Sequence, residues 1–333
     1  MEIFFEFEKP IVTLEKKLQE LKEIEKSDGV DFKSEIQALE QKLSKLIEET
    51  YAKLTTWQRV QLSRHPNRPY FLDYIEAVFP DFSELHGDRT FSDDGALVAG
   101  TATWTLTPGK AIPVMILGHQ KGRTTKQKVE RNFGMARPEG YRKAMRLFEM
   151  AERFRLPVIT MIDTPGAYPG MDAEERGQSQ AIAESIRSMF GLTVPTCAVV
   201  IGEGGSGGAL AIGIGNCVLM QEFSTYSVIS PESCASILWS DSTLAERAAE
   251  RLKITAKDLD QMKLIDKIIP EPNGGAHRDL SGAIESLKTT LTKEFGPWLK
   301  KDFNDPSSKT SIEIKNARFD KFRKMGDFAM KAI

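Results

Sequence analysis

Five of the seven residues from 202 to 208 are glycine, in the order Gly-Glu-Gly-Gly-Ser-Gly-Gly, and the apolar run Cys197-Ala-Val-Val-Ile201 leads straight into them. An apolar β-type run, a glycine turn and then Ala209-Leu-Ala-Ile as a helix start can be satisfied by few architectures. A second arrangement of this kind occupies 162–170, Ile-Asp-Thr-Pro-Gly-Ala-Tyr-Pro-Gly. Both turns therefore fall at the carboxyl ends of predicted strands, where α/β folds place their ligands. Glycine lets the backbone approach a bound group, and the helix that follows turns unpaired N–H groups and a partial positive charge toward it. The arrangement reads as a cradle for an anion or oxyanion. Tight packing is the competing explanation, and it suits one or two glycines better than five.

Elimination narrows the anion. Gly202-x-Gly204-x-x-Gly207 matches the dinucleotide fingerprint, with Glu222 twenty residues further on. That match is weak, because a dinucleotide unit needs a full crossover helix and 207–215 leaves room for about two turns. Asp163-x-x-Gly166 is similar to a GTPase switch, yet the chain contains no Gly-x-x-x-x-Gly-Lys-Ser/Thr, so nucleoside triphosphate binding has no support. What remains is an enolate, thioester or ureido oxygen held by paired backbone amides. Nearby, Gly118-His-Gln-Lys-Gly-Arg is locally basic. Lys121 and Arg123 are its candidates for binding phosphate or carboxylate, against a plain reading as solvated charge. His119 is either a general base or a hydrogen-bonded structural group. Asp163 and Glu203 form an acid/base pair only if the fold brings them together.

Elsewhere the hydrophobic spacing sets the elements. Leu14, Leu18, Leu21 and Ile24, then Ile36, Leu39, Leu43, Leu46 and Ile47, form two stripes around Ser27-Asp28-Gly29. They predict an antiparallel helical hairpin, either a clip on its own core or a subunit contact. A short helix carries Phe71, Tyr74, Ile75 and Val78. Strands at 96–104 and 112–117 flank Thr107-Pro108-Gly109 as a hairpin. Pro138 starts a helix, and then a strand at 158–162, a helix at 173–190, a strand at 196–201, a short helix at 207–213 and a strand at 217–221 follow. Helices at 231–239, 242–252, 256–262 and 280–295 and a strand at 265–269 complete an α/β core, and the basic stretch from 306 reads as a surface appendage. The expected division is 1–56 for the hairpin, 57–297 for the α/β domain and 298–333 for the appendage.

Charge and composition remove other classes. The chain has 45 basic and 47 acidic side chains, a formal charge of −2, which argues against a nucleic-acid binder driven by bulk charge. Its longest weakly polar run, 207–220, falls short of the ~18 to 20 residues a membrane helix needs. The start, Met-Glu-Ile-Phe-Phe-Glu-Phe-Glu, is acidic where a secretory signal is basic, so a cytoplasmic location is expected. Cys197, Cys217 and Cys234 form no Cys-x-x-Cys pair, and His65, His86, His119 and His277 lie in separate segments without a His-x-x-x-His. Neither a zinc ribbon nor any other metal site is expected.

A longer set of blocks carries a resemblance. These are Arg64-His-Pro-Asn-Arg-Pro-Tyr, Gly118-His-Gln-Lys-Gly-Arg, Asn132-Phe-Gly-Met, Pro138-Glu-Gly-Tyr-Arg-Lys-Ala, the two glycine turns, Glu174-Glu-Arg-Gly-Gln-Ser, Ser224-Thr-Tyr-Ser-Val-Ile-Ser-Pro-Glu and Gly274-Gly-Ala-His-Arg. Over almost its whole length the chain resembles the alpha subunits of the carboxyltransferase of bacterial multisubunit acetyl-CoA carboxylase. Arg137, in a variable slot, and Ser233, where glycine is expected, are small departures. The resemblance implies a crotonase-like fold, a ClpP/crotonase spiral of β-β-α units with an N-terminal helical hairpin. It implies transfer of a carboxyl group from carboxybiotin, on a separate biotin carboxyl carrier protein, to acetyl-CoA, giving malonyl-CoA in the first step of fatty-acid synthesis. Biotin carboxylase and a beta subunit bearing a zinc ribbon are the implied partners, the latter in an α2β2 assembly that shares the active site. It further implies that the Gly207 and Gly208 amides hold the ureido oxygen of biotin, with Gly204, Gly205, Ser206, Gly166, Ala167 and Tyr168 around it. Three rivals stay open: a related carboxyltransferase subunit acting on propionyl-CoA, a self-sufficient crotonase-type acyl-CoA enzyme, and a pure scaffold subunit.

Overall fold

A computed structural model describes residues 3–28, 31–107 and 109–326. Gly29 of the first expected turn, Pro108 of the hairpin turn and residues 327–333 of the C-terminal stretch lie outside them. The chain opens with helices α1 (Lys9–Asp28) and α2 (Lys33–Ala52), joined across their faces by a 2.6 Å Lys22–Glu40 ion pair. Ile11, Tyr51 and Leu54 of this hairpin pack on Leu62 and Phe223, so it does clip onto its own chain. Helix α3 (Thr56–Ser63) was not expected from apolar spacing, although a capping box marks its start. The Gln58 amide donates to Thr55 Oγ1, and Gln58 Oε1 accepts from the Thr55 amide. Helix α4 (Phe71–Val78) follows.

One mixed sheet forms the centre. Strands β1 (Ser83–Glu84), β2 (Leu97–Thr107) and β3 (Lys110–His119) are antiparallel, with Leu97 opposite His119. Helices α5 (Thr125–Glu130) and α6 (Pro138–Phe154) lead to β4 (Val158–Thr164). Then come α7 (Met171–Glu175), α8 (Gln178–Gly191), β5 (Thr196–Gly205), α9 (Ser206–Leu210), β6 (Cys217–Gln221) and β7 (Thr225–Ser227). Helices α10 (Pro231–Trp239), α11 (Ala245–Leu252) and α12 (Ala256–Gln261), strand β8 (Lys267–Ile269), and helices α13 (Leu280–Leu299) and α14 (Lys309–Arg323) complete the order. The sheet runs β1-β2-β3-β4-β5-β6-β8, parallel from β3 onward, with β7 beside the end of β5.

Alternation along the strands feeds two cores, as a sheet covered on both faces requires. Val158, Ile162, Ala198 and Val200 meet Tyr141, Leu147 and Phe148 of α6, together with α8, on one face. Ile159, Met161, Val199 and Ile201 meet Phe71 and Tyr74 of α4 and Leu287, Leu291 and Phe295 of α13 on the other. The helix expected at 173–190 is two helices, because Gly177 sits at φ 80° between them. The C-terminal stretch also departs from expectation. Ile314 and Arg318, one helical turn apart on α14, are fully buried. The Arg318 guanidinium donates to Asn216 Oδ1 (2.7 Å), Thr196 Oγ1 (3.0 Å) and the Leu192 carbonyl, and burial pushes its pKa down to about 10. A buried cation is tolerated only with such partners. Residues 309–323 are therefore a clamp over the starts of β5 and β6 rather than an appendage.

Candidate active site

Strands β4 and β5 run parallel in plain register from Val158–Thr196 to Ile162–Val200, and then Thr164 pairs with Gly204. Here β5 advances four residues while β4 advances two, an irregularity that swings both carboxyl ends out of the ladder and brings the two glycine turns together. What each glycine is for follows from what a side chain there would strike. A Cβ on Gly205 would run into the Pro165 carbonyl, and one on Gly208 would come within 2.6 Å of Ala167 N and the Gly166 carbonyl carbon. Those two glycines let turn 164–168 lie against turn 204–208. A Cβ on Gly204 would come within 2.7 Å of the Tyr226 ring, and one on Gly202 would run into the Asp163 carboxylate. Gly207 differs, since its Cβ would meet only Ile182, at 3.5 Å, which is ordinary contact. Gly166 faces open space. The expectation that Gly207 and Gly208 both lack a side chain for a ligand's sake is thus corrected for Gly208, whose requirement is internal packing.

Ser206, exposed between Gly205 and Gly207, is held at φ 51°, a left-handed conformation that a non-glycine residue adopts at a cost and that concentrates at functional turns. The amides of Gly207 and Gly208 lie in the first turn of α9, where no carbonyl of the helix reaches them. Among the described residues, neither donates to a side chain or a loop carbonyl. A cavity of about 420 Å³ opens beside them, with Gly207, Leu210, Tyr226, Val228, Ile254 and Leu259 in its wall. Gly166 is fixed by the Thr164 hydroxyl, which accepts from the Gly166 amide at 3.1 Å and donates to the Gly166 carbonyl at 2.6 Å. Tyr168 carries the Arg137 guanidinium over its ring at 4.5 Å.

Beneath the turns lies an ionic chain that runs from buried Asp163 through largely buried Lys121 and Glu203 to partly exposed Arg64 and Glu232. Lys121 Nζ is 2.8 Å from Asp163 Oδ1 and 2.8 Å from Glu203 Oε2. The Glu203 amide donates to Asp163 Oδ1 at 2.9 Å, and Arg64 Nε donates to Glu203 Oε1 at 2.7 Å before continuing to Glu232 on α10. Burial alone would push the Glu203 carboxyl up, but Lys121 and Arg64 together hold it below the ordinary range. For Asp163 burial wins, and its pKa is raised despite Lys121. The fields of both carboxylates overcome burial at Lys121, whose pKa is raised and which stays protonated.

This geometry corrects the anion-binding expectation for Lys121 and Arg123. Lys121 is spent on two carboxylates, and Arg123 donates to Asp73 Oδ2 at 2.5 Å and to the Pro66 carbonyl while lying 4.3 Å over the Tyr70 ring. Neither offers a free cation. Asp163 and Glu203 do come together, as a pair bridged by Lys121. His119 is fully buried, neither ring nitrogen has a partner among the described residues, and burial pushes its pKa down to about 3. It fits neither a general base nor a hydrogen-bonded prop. The contribution of the 64–68 loop was missed. Arg68, fully buried, donates to the Ile201 carbonyl at 2.7 Å and to both oxygens of Glu271, anchoring the end of β5. The available signal was the pair of arginines four positions apart in Arg64-His-Pro-Asn-Arg68. The expectation that the histidines stay apart is also overturned: His65 and His277 meet beside Glu8, with donor atoms within 4.8 Å of one another.

The family described as acetyl co-enzyme A carboxylase carboxyltransferase-like matches residues 4–326. The chain belongs to this family. The acetyl-coenzyme A carboxylase carboxyl transferase subunit alpha of Geobacillus sp. (strain WCH70) is 54% identical over 324 residues, 97% of this chain and 96% of that relative. The subunit of the same name from Thermus thermophilus is 53% identical over 324 residues, 97% of this chain and 98% of the relative. Among solved structures, a Pseudomonas malonate decarboxylase hetero-tetramer in complex with coenzyme A superposes with a TM-score of 0.56 at 15% identity, over 74% of this chain and 91% of that one. Transcarboxylase 12S superposes with a TM-score of 0.55 at 17% identity, over 71% and 43%. At such identities the likeness concerns the fold, which is the crotonase-like fold of carboxyltransferases.

Proposed function

We infer that this chain is the alpha subunit of an acetyl-CoA carboxylase carboxyltransferase, and that the Gly207 amide is the oxyanion donor it brings to the reaction. The observation that carries the site is the contrast among the glycines: packing accounts for Gly202, Gly204, Gly205 and Gly208, while a Cβ on Gly207 would make only an ordinary contact, with Ile182 at 3.5 Å, so packing does not require glycine there. In this reading carboxybiotin, carried on a separate biotin carrier protein, supplies the carboxyl group for acetyl-CoA. The Gly207 and Gly208 amides donate to its ureido oxygen, Ser206 and turn 166–168 border that position, and the apolar cavity wall excludes water. The ionic chain through Lys121 fixes the two turns at the required separation. A self-sufficient enzyme needs a placed carboxylate, but Asp163 and Glu203 are already bridged by Lys121. That favours an active site completed by a beta subunit, in an α2β2 assembly working with biotin carboxylase in the cytoplasm; no helix among the described residues is long and apolar enough to cross a membrane.

Two outcomes test this. The purified chain alone does not carboxylate acetyl-CoA, and malonyl-CoA appears only when a zinc-ribbon beta subunit is added; turnover by the isolated chain with free carboxybiotin would sink the shared site. We also propose residues 1–56 as an assembly element. Because the hairpin packs on Leu62 and Phe223, deleting it would disturb the fold, so the gentler test is Ile24→Glu, at an apolar position 43% exposed on α1. The change is expected to leave the isolated chain folded and to weaken the complex, read as mass in solution against concentration. An unchanged complex at every concentration would leave the hairpin as a clip.

A further inference from the structure

Two blocks whose histidines carboxyl transfer leaves without a task, Arg64-His-Pro-Asn-Arg-Pro-Tyr and Gly274-Gly-Ala-His-Arg, meet just before α1. Glu8 precedes that helix, His65 follows α3 and His277 precedes α13, so three distant segments each deliver one metal-ligating side chain. The Glu8 and His277 side chains are 1% and 4% exposed, and His65 is buried. One nitrogen of each ring and one Glu8 oxygen lie within 4.8 Å of one another, and the two ring centroids are 4.3 Å apart. His277 Nε2 is 3.1 Å from Glu8 Oε1. Ligands of one tetrahedral zinc, bonded at ~2.0 to 2.2 Å, stand roughly 3.3 to 3.6 Å from each other, so this hydrogen-bonded pair has to part by only a few tenths of an ångström to take an ion between them.

We propose that Glu8, His65 and His277 bind one divalent cation of the zinc class, which clasps the N-terminal hairpin to the sheet domain. The carboxylate is oriented as a ligand should be, since Tyr51 Oη donates to Glu8 Oε1 at 2.7 Å and the Phe5 amide donates to Oε2 at 2.8 Å. His277 Nδ1 is buried without a hydrogen-bond partner among the described residues, so the ring proton can sit there and leave Nε2, the nitrogen that faces Glu8, for the ion. His65 uses one nitrogen on the Ile3 carbonyl and the other on the Asn67 amide, and the ion exchanges one of these for a metal bond. Neither neutral imidazole loses a proton, because each keeps it on the unbound nitrogen. Arg278, 3.8 Å from Glu8, is drawn off by Glu15. A cavity of about 520 Å³, walled in part by Val12, Leu18 and Leu43, opens onto the cluster and supplies both an entry path and room for water as fourth ligand. Two imidazoles, one carboxylate and a water form a set that zinc and cobalt accept.

The test is titration of the chelator-stripped full-length chain, without its partner, with Co²⁺ at neutral pH. One Co²⁺ per chain is expected, with the visible absorption of a four-coordinate site, displaced by Zn²⁺, and Zn²⁺ is expected to raise the unfolding midpoint. His277→Ala should abolish the bands, and Tyr51→Phe should weaken binding about tenfold. Glu8→Gln guards against a folding artefact, since it keeps the contacts to Tyr51 and Phe5, and it should lose Co²⁺ while melting near the wild type without metal. Absence of stoichiometric binding to the folded wild-type chain, or binding that survives both Glu8→Gln and His277→Ala, would overturn the proposal and leave a hydrogen-bonded staple.

Discussion

Replacing Gly207 by valine lowers carboxyl transfer about a hundred- to a thousandfold while the complex with the beta subunit keeps its mass. The size follows from the role: removing one oxyanion donor typically costs ~2.7 to 4 kcal/mol of transition-state stabilisation. Placing the loss at Gly207 follows from the backbone. A Cβ here meets Ile182 at 3.5 Å, so Gly207→Ala fits the fold, and any defect it shows comes from what approaches the turn. Valine adds branches that fill the approach to the amide. Gly208→Ala supplies the contrast, because its Cβ lies 2.6 Å from the backbone of turn 166–167 and must force the two turns apart. That variant should lose stability as well as activity. Steady-state kinetics with the reconstituted complex, paired with light scattering, decide it. The Gly207 defect should fall on kcat more than on the KM for acetyl-CoA. If an assembled Gly207→Val complex turned over at nearly the wild-type rate, the amide could not be the donor and the scaffold reading would gain.

The α/β class and the placement of both glycine turns were legible because strand alternation and clustered glycines are local signals. The hairpin was legible from stripes three and four residues apart. Other features were hidden for physical reasons. The break at Gly177 rests on a single left-handed residue inside an otherwise helical pattern. Helices α3 and α5 are short, and their capping boxes at Thr55 and Thr124 were the better signal than apolar spacing. Lys121 and Arg123 looked like free cations because their carboxylate partners stand 42 or more residues away in sequence, at Asp163, Glu203 and Asp73. Arg318 looked like surface charge because its partners are mostly main-chain and side-chain oxygens brought in by β5 and β6, which leave no charge pattern. The same distance in sequence concealed the meeting of His65 with His277.

Lys121→Met destabilises the chain by about 3 to 5 kcal/mol, the usual cost of removing one partner from a buried ion pair. Methionine fills much of the lysine's volume, so the loss is chiefly electrostatic: Asp163, 2% exposed at its side chain, is left without a cation, while Glu203 retains Arg64. The pH dependence gives a second handle. Burial already holds the Asp163 pKa above its ordinary value, and removing Lys121 raises it further. A carboxyl raised in the folded state binds its proton more tightly there than in the unfolded chain, so its contribution to stability falls as pH rises from the ordinary aspartate value, ~3.9, through the folded one. The gap between variant and wild type, compared at equal pH by denaturant unfolding, should therefore narrow on acidification through that window. Adding Asp163→Asn to Lys121→Met should recover part of the loss at neutral pH, because an uncharged pair carries no unpaired buried charge. A loss below about 1 kcal/mol, the level of an exposed pair, or a gap constant with pH, would mean that the ionic chain does not hold the turns together. The Gly207 amide would then owe its position to the packing of Gly205 and Gly208 alone.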